Sequence, residues 1–332
     1  MKKVSVIIPT YKRVNLLAEI FDSLLNQSLV HEVIVIDSDS NDGTEELVFS
    51  YDNSQSINFK YINVENSVAL KRNTGVYNAS QEFLIFIDDD CVPNKNFVKE
   101  HVDCLLNKKN TVNCGDVFFP ESEVKASNYL RYKNSRHKPY LFSQNGPKDL
   151  DYRSIVTMNM SIRKSDILKY ELFFDEGFIG YGMEDNEFGY RVSESGMKIQ
   201  NCAASIQHME SNDPLIFAKK IFHTSRDGVN RLKSINKAAV MGLRYSFFFE
   251  PDFKHPNLLS KLTIRFFTML FSITVAKYIL YMLNLTDRAR LLYFPALYQY
   301  VFACYYFHGV KNRSKAYKNI SDVKSNWFSS SS

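Results

Sequence analysis

The sequence is poor in the patterns that mark several protein classes. Its five cysteines are an odd number without a CxxC pair, which argues against a disulfide framework or zinc cluster and favours a reducing compartment. The apolar run in MKKVSVIIPT is too short for a signal peptide, so we expect residues 4–8 to form a buried strand. No internal repeat is evident. The remaining composition, 45% hydrophobic and 23% charged over 332 residues, allows one large domain with an appendage or two modest domains.

Acidic and basic residues are unevenly distributed along the chain. Residues 1–213 hold 23 Lys and Arg against 31 Asp and Glu, a net charge of −8. Residues 214–332 hold 18 against 5, a net charge of +13. A basic segment of this kind suits a solvated surface, nucleic acid or a membrane. We favour a membrane surface over nucleic acid because long apolar, aromatic stretches separate the basic residues.

Strand-like and helix-like patterns alternate along the first hundred residues. The predicted strands lie at 4–8, 32–36, 58–64 and 82–87, and helical spacing separates them. This alternation predicts an α/β fold with a Rossmann-like, mostly parallel sheet flanked by helices. Ligands of such sheets bind beyond the carboxyl ends of the strands. Polar residues follow three of these predicted strands there: Thr10 and Tyr11, Asp37 to Asp39, and Asp88 to Asp90.

Three consecutive carboxylates end the apolar run FLIFIDDD. Strand alternation places Asp88 and Asp90 on the same face. Adjacent carboxylates repel each other, burial raises that cost, and a divalent cation would remove it. Oxygen ligands of this type suit Mg²⁺ or Mn²⁺, which could bridge to a nucleotide diphosphate. The alternative is an acidic turn that caps the next helix.

A second acidic cluster follows two glycines in GYGMEDNEF. Gly180 and Gly182 permit a tight approach before a helix predicted at 183–195. Asp185 would lie near the helix N-terminus, where the helix dipole favours an anion. The alternative is a structural acidic cap, followed by pairing of Glu187 with Arg191 at i,i+4 spacing.

Five motifs, in this order, resemble family 2 glycosyltransferases of the GT-A fold. They are VSVIIPTYKR, VIVIDSDSNDGT, ALKRNTGVYNAS, FIDDDCVP and DEGFIGYGMEDNEFGYR, and the resemblance spans roughly residues 4–210. It implies an inverting, metal-dependent enzyme that uses Mn²⁺ or Mg²⁺. It also implies a nucleotide-sugar donor, expected to be a UDP-sugar, and a saccharide or lipid-linked acceptor.

The resemblance also implies roles for individual residues. Donor contacts are expected from Pro9, Thr10, Tyr11, Arg13, Asp37, Asp39, Arg72, Asp88 and Asp89. Metal ligands are expected at Asp90 and Asp88, with His208 as a further ligand, although a lone histidine is more often structural. Asp185 is expected to be the general base, and Glu184 to hold the acceptor or the donor sugar.

The sequence departs from the family pattern at two positions. Ser38-Asp39-Ser40 stands where many members have Asp-Gly-Ser, so an acidic side chain replaces a glycine. Met183 stands where related motifs often have a second glycine.

We expect residues 1–213 to form a catalytic domain, with a donor half at 1–110 and an acceptor half at 111–213. Residues 214–332 would form a basic, aromatic helical region associated with a membrane. Residues 291–310 contain no Asp, Glu, Lys or Arg but eight Phe or Tyr, which makes them a borderline membrane span. Their aromatic character favours helices in the membrane interface, and packed core or dimer helices are a third alternative. The expected location is the cytoplasmic face of the inner or cell membrane, peripheral or monotopic.

The leading functional hypothesis is an inverting glycosyltransferase of surface polysaccharide or glycolipid synthesis. A non-catalytic carbohydrate- or nucleotide-binding module on the same scaffold is the alternative, and the presence of Asp88, Asp90 and Asp185 disfavours it. A nucleotidyltransferase would need a Gly-rich phosphate loop after the first strand, and PTYKRVNLL lacks one. No nucleic-acid partner is expected beyond the nucleotide of the donor.

Overall fold

The structure is a computed structural model of the chain. It describes residues 3–52, 57–137, 146–209, 213–243 and 269–319, together with the single positions 142, 211, 258, 259, 262 and 266. The chain divides into two compact units. The first comprises Met1–Pro120, Arg136–Glu176 and Phe188–Glu210, and the second comprises Glu121–Ser135, Gly177–Glu187 and Ser211–Ser332.

The first unit contains an eight-stranded sheet. Its strands are β1 (Val4–Pro9), β2 (Val30–Asp37), β3 (Asn58–Asn63), β4 (Phe83–Ile87), β5 (Cys91–Pro93), β6 (Thr111–Phe118), β7 (Asn159–Arg163) and β8 (Lys198–His208). Their order across the sheet is β3-β2-β1-β4-β7-β6-β8-β5. The α/β architecture expected from the sequence is confirmed.

The sheet is mixed, so the prediction of a mostly parallel sheet is wrong for its second half. Strands β3, β2, β1 and β4 are mutually parallel, as is the pair β6 and β8. Strand β7 runs antiparallel to both β4 and β6, and β5 runs antiparallel to β8. Strands and helices still alternate after β4, but alternation alone does not fix the direction of each strand, and β7 enters the sheet in the opposite direction.

Thirteen α-helices have defined bounds in the described residues. They are α1 (Val14–Leu25), α2 (Thr44–Asp52), α3 (Val68–Asn78), α4 (Phe97–Asn107), α5 (Glu121–Ala126), α6 (Asn128–His137), α7 (Lys164–Tyr170), α8 (Glu184–Glu194), α9 (Pro214–His223), α10 (Val229–Ile235), α11 (Lys237–Gly242), α12 (Ile273–Leu285) and α13 (Pro295–Lys311). A π-helical turn, Thr224–Gly228, joins α9 to α10.

Two apolar clusters cover the two faces of the sheet. Alternate residues of β4 point to opposite sides, so that Ile85 joins one cluster and Phe86 the other. Leu17 and Phe21 of α1 belong to the first cluster, and Val76 of α3 belongs to the second. The central strands are therefore buried on both sides, which fixes the positions of the loops at their carboxyl ends.

The second unit is helical. Asp213 caps α9 by accepting a hydrogen bond from the backbone nitrogen of Leu215 over 2.8 Å, and Pro214 occupies the first turn. Tyr298 of α13 is buried and stacks on Tyr132 of α6 at 5.1 Å between ring centroids. Phe302 packs edge-on against Phe217 of α9 at 4.9 Å. Most of the aromatic run at 291–310 is therefore a packed helix of this unit.

Within the described part of the chain, helix α12 buries one apolar side and exposes another. Its buried side carries Ala276, Leu280 and Leu283. Its exposed side carries Val275, Tyr278, Met282 and Leu285, spaced at i, i+3, i+7 and i+10. Among the residues that the structure describes, no helix combines the length and the apolar character needed to cross a membrane. Most of residues 258–268, which belong to the region 214–332 expected to associate with a membrane, lie outside the described residues.

Candidate active site

Polar residues gather at one end of the sheet because three neighbouring parallel strands end there. Strand β1 lies between β2 and β4, so the loops after Pro9, Asp37 and Ile87 leave from the same edge. The backbone nitrogen of Thr10 donates to the carbonyl of Ile36 over 2.9 Å, which ties the first two of these loops together. This edge is where ligands of open α/β sheets bind.

The three consecutive aspartates have different partners. Asp88 Oδ1 lies 3.2 Å from the guanidinium Nη2 of Arg72, which projects from α3. Asp89 Oδ2 accepts a hydrogen bond from the hydroxyl of Thr10 over 2.8 Å and another from the backbone nitrogen of Tyr11 over 3.3 Å. Asp89 therefore anchors the loop after β1, and its expected contact with the donor stays a prediction.

Asp90 lies among the side chains that could hold a metal. Its Oδ2 is 3.1 Å from Nη1 of Arg13, and its Oδ1 is 3.4 Å from Nε2 of His208. Strand pairing sets this approach, because Cys91 of β5 is directly opposite His208 of β8. Asp90, Cys91 and His208 each offer one possible ligand atom, and these three atoms all lie within 4.8 Å of one another. All three residues are buried.

Burial disfavours the ionised forms of these neighbouring carboxylates. Desolvation and the neighbouring charge of Asp90 raise the pKa of Asp89 to about 7, against the opposing effects of Arg13 and the Thr10 hydroxyl. A cation bound at this turn would relieve the repulsion between the two carboxylates. The same charges and burial raise the pKa of the Cys91 thiol.

Sequence reasoning missed Lys71, although it singled out the adjacent Arg72. The Lys71 ammonium is buried and donates to the carbonyl of Thr10 over 2.7 Å and to Oδ1 of Asn66 over 2.9 Å. Burial lowers the pKa of Lys71 to about 8, and the charges of Asp37 and Asp89 act in the opposite direction. Lys71 thus stands between the loops after β2 and β4. The adjacent cations of ALKR are the sequence signal that marks both residues.

A polar cavity of about 370 Å³ lies beside the end of β2. Asp37 and Asp39 line it together with Tyr61 and Asn63 of β3. Asp37 Oδ2 accepts a hydrogen bond from the phenol of Tyr61 over 3.0 Å and from the backbone nitrogen of Ser40 over 3.1 Å. We did not predict Tyr61 or Asn63, yet the parallel register that sets Asp37 beside Asn63 brings both to this edge.

The two departures from the family pattern both fall where the backbone is left-handed. Asp39 has a φ of 47°, and its backbone nitrogen donates to the Asn63 side chain over 3.0 Å. Met183 has a φ of 78°. Glycine adopts such angles without steric cost, and a side chain with a Cβ does so with strain. Asp39 and Met183 therefore adopt left-handed backbone angles with some steric strain.

The second acidic cluster belongs to the second unit. Glu184 and Asp185 form the first turn of α8, where the helix dipole stabilises negative charge. The preceding loop packs on the π-helical turn: a Cβ added to Gly180 would lie 2.6 Å from that of Asp227. A Cβ on Gly228 would lie 2.1 Å from the carbonyl oxygen of Gly182. Only glycines permit this approach, and π-helical turns are frequent at functional sites.

The structure therefore brings most of the predicted site residues to one edge of the first unit. The loop after β1 supplies Pro9, Thr10, Tyr11 and Arg13, and α3 supplies Arg72. Asp37 and Asp39 line the neighbouring cavity. Their roles toward a ligand stay predictions, as do those of Glu184 and Asp185 in the second unit.

Comparisons with known proteins identify the sequence relatives. The model of the family described as "Glycosyl transferase family 2" matches residues 5–170. A second model, described as the "N-terminal domain of galactosyltransferase", matches residues 138–212.

Two curated relatives illustrate the similarity. An uncharacterized glycosyltransferase, YfnE of Bacillus subtilis, is 28% identical over 248 residues, covering 59% of this chain and 61% of its own. The chondroitin synthase of Escherichia coli is 27% identical over 224 residues, covering 58% of this chain and 32% of its own. The chain thus spans less than two thirds of the length of these relatives.

One further relative also has a solved structure. The poly(ribitol-phosphate) beta-N-acetylglucosaminyltransferase TarS of Staphylococcus aureus is 33% identical over 137 residues, covering 38% of this chain and 24% of its own. A crystal structure of TarS 1–349 aligns with 94% of this chain and 90% of its own at 17% identity, with a TM-score of 0.47.

Proposed function

The chain belongs to glycosyl transferase family 2, and on this premise we propose that it is a glycosyltransferase that transfers a sugar, with inversion, from a nucleotide sugar to a saccharide or lipid-linked acceptor. The observation that carries the proposal is the carboxylate–imidazole pair of Asp90 and His208, together with the polar cavity beside the end of β2. A donor with a nucleoside, a diphosphate and a sugar needs such neighbouring polar and charged surfaces.

The cavity beside β2 is suited to the nucleoside. Asp37 and Asp39 are hydrogen-bond acceptors for base and ribose donors, and the Tyr61 ring adds an aromatic wall. The N–H group of a uracil ring is such a donor, which is why we favour a UDP-sugar. Arg72 and Arg13 bring positive charge to the aspartate turn, where the diphosphate would be held.

The donor set at the aspartate turn fits a divalent cation. Oδ1 of Asp90, which also accepts from the Cys91 thiol, and Nε2 of His208 are the pair that would hold the ion, while Oδ2 of Asp90 is paired with Arg13. Carboxylate and imidazole together suit Mn²⁺, and Mg²⁺ is the alternative. Once bound, the cation would stabilise the negative charge of the departing diphosphate. Asp88, paired with Arg72, would contribute to ribose or metal binding.

Asp185 is proposed as the general base. It would take the proton of the acceptor hydroxyl while that oxygen forms a bond to the anomeric carbon of the donor. The bond between this carbon and the diphosphate oxygen would break, and its electron pair would leave with the diphosphate. A single displacement of this type inverts the anomeric configuration. Glu184 would hold the acceptor or the donor sugar.

The second unit is proposed to associate with a membrane on the cytoplasmic face. Helix α12 has an exposed apolar side, and Leu291, which follows the helix in the chain, is 98% exposed. Arg288 and Arg290 lie between these apolar positions and would attract anionic lipids. An enzyme there would meet lipid-linked or growing saccharide acceptors. The names of two relatives, a chondroitin synthase and a poly(ribitol-phosphate) glycosyltransferase, support a role in surface polysaccharide or glycolipid synthesis.

The Asp185→Asn variant tests the enzyme assignment. We expect transfer to fall by at least about a hundredfold, because general-base catalysis contributes that much, while donor binding stays within about twofold. A panel of UDP-, GDP- and dTDP-sugars, assayed for Mn²⁺-stimulated hydrolysis and transfer, identifies the donor first. Calorimetry with the same donor then measures binding.

Glu194→Gln is the matched control, since Glu194 is an exposed carboxylate on the same helix. It should leave both transfer and binding unchanged. Equal turnover of Asp185→Asn and the wild-type protein would reject the base assignment. Donor binding without transfer or hydrolysis of any nucleotide sugar in the wild-type protein would favour the alternative, a non-catalytic binding module.

A further inference from the structure

A groove of about 580 Å³ lies between three helices of the second unit. Helix α12 contributes one face to it, with Ile273, Lys277, Leu280 and Asn284 at helical spacing. Helix α9 contributes Leu215, Lys219 and Phe222, spaced at i, i+4 and i+7, and α13 contributes Tyr305 and His308. The volume is that of a pocket for a small organic ligand.

The wall of the groove combines hydrocarbon and positive charge. Leu215, Phe222, Ile273 and Leu280 supply apolar surface, and the ring of His308 packs against that of Phe222 at 5.4 Å between centroids. Lys219 and Lys277 line the same groove. Its acidic residue, Asp213, already accepts the capping hydrogen bond from Leu215.

Positive charge is concentrated around His308. Burial lowers the pKa of His308, and the charges of Lys277, Lys311 and Lys315 lower it further. Several cations beside an apolar groove suit a ligand that has both a hydrocarbon chain and an anionic head.

The groove adjoins the apolar surface proposed to face the membrane. Tyr281 lines the groove and is also among the exposed apolar residues of α12. On the helical wheel, the groove face of α12 lies between its buried side and its exposed apolar side. The groove and the exposed apolar side of α12 therefore meet at Tyr281.

We propose that this groove binds a single phosphate-bearing lipid, with the hydrocarbon chain along Phe222 and Leu280 and the phosphate against Lys277 and His308. The ligand would be an acidic phospholipid of the bilayer that the second unit is proposed to contact. This inference rests on the proposed membrane location but not on sugar transfer, and binding can be measured without donor or acceptor.

Monomeric n-decyl phosphate, used below its micelle concentration with the full chain, is the probe. Calorimetry should show binding to this amphiphile, and affinities at least about tenfold weaker for n-decyl glucoside and for inorganic phosphate. The glucoside keeps the chain without the charge, and inorganic phosphate keeps the charge without the chain. Equal binding of inorganic phosphate would overturn the lipid assignment, and equal binding of the glucoside would overturn the role of the cations.

Two variants locate the binding to the groove. Lys277→Glu should weaken n-decyl phosphate binding by at least about tenfold, because it replaces an attractive charge by a repulsive one. Lys237→Glu makes the same change at an exposed lysine of α11 and should alter binding less than about twofold. Asn284→Trp should fill the groove while leaving its cations intact, and should weaken binding as much as Lys277→Glu. Equal effects of the two lysine variants, or no effect of Asn284→Trp, would overturn the proposal.

Sedimentation with vesicles of phosphatidylcholine and phosphatidylglycerol tests membrane association separately from lipid binding in the groove. If the wild-type protein binds vesicles but not n-decyl phosphate, the groove proposal is wrong and the membrane location is not. If the wild-type protein binds n-decyl phosphate but not vesicles, the membrane location is wrong and the groove proposal is not.

Discussion

At the scale of single residues, one histidine decides between a structural and a metal-binding interpretation of the aspartate turn. His208 has contacts of both kinds. Its Nε2 lies 3.4 Å from Asp90, and its ring lies 5.4 Å from that of Phe119 between centroids. A ligand is expected to control metal affinity, whereas a packing residue is expected to control stability.

Replacing His208 by Gln therefore separates the two roles. If Nε2 is a ligand, the affinity for Mn²⁺ should fall by at least about tenfold, and donor hydrolysis should require correspondingly more Mn²⁺. Calorimetric titration of Mn²⁺ into the protein, in the presence of the nucleoside diphosphate, measures the first effect.

His31→Gln is the matched control, because His31 lies at the other end of β2 from the site. It should leave Mn²⁺ affinity unchanged. An unchanged Mn²⁺ affinity in His208→Gln, with a lower melting temperature, would identify His208 as a structural residue.

The sequence predicts residues of this site when their chemistry is visible in a contiguous motif. Asp37 and Asp88 to Asp90 follow apolar strands and are conspicuous for that reason. Tyr61 and Asn63 are not, because a tyrosine and an asparagine in a strand indicate no particular ligand. Only the register between β2 and β3 brings them to the cavity, and that register is a tertiary property.

At the scale of elements, the sheet shows where periodicity stops being informative. Strands that are buried on both faces appear as continuous apolar runs, so β1, β2 and β4 are predictable. The direction of β7 is not, since a strand of five residues carries the same pattern in either orientation. The three-residue strand β5 is also invisible in the sequence, yet its pairing with β8 brings His208 beside Asp90.

The π-helical turn is an element with an expected effect on catalysis. A Cβ at Gly228 would collide with the carbonyl oxygen of Gly182, just before Glu184 and Asp185. In Gly228→Ala, the loop must move by about an ångström, and a displacement of that size can reduce turnover by about a hundredfold. Steady-state kinetics should show a lower kcat, with donor affinity unchanged.

Gly196→Ala provides a control for lost stability. Gly196 has a φ of 79°, and a Cβ there would have no atom within 4 Å. The substitution should lower the melting temperature through backbone strain, worth about 1–2 kcal/mol, but should not change kcat. Full activity of Gly228→Ala would show that the loop position does not limit catalysis.

At the scale of the whole molecule, the predicted site residues and the net positive charge lie in different parts of the chain. Residues 1–213, which are acidic overall, contain every predicted site residue. Residues 214–332, which are basic overall, contain all the groove-lining residues except Asp213 and most of the exposed apolar side chains. The domain boundary at 213, the metal and the membrane location stay predictions. Composition indicates that the two parts differ, but which apolar side chains remain exposed depends on packing. Tyr298 and Tyr278 have the same chemistry, and only the first is buried.

The exposed apolar side chains of the second unit give the last prediction. Transferring one exposed leucine side chain from water to an apolar phase is favourable by about 1.5–3 kcal/mol, a factor of about ten or more in a partition constant. Replacing both Leu285 and Leu291 by Glu adds a charge penalty, so vesicle binding should fall by at least about a hundredfold. Sedimentation with phosphatidylglycerol-containing vesicles measures it, and raised salt should weaken the remaining binding because it screens the Arg288 and Arg290 charges. Leu168→Glu changes a comparably exposed leucine of the first unit and should leave vesicle binding intact. Vesicle binding that survives in the double variant, or is lost equally in Leu168→Glu, would contradict membrane attachment through this surface.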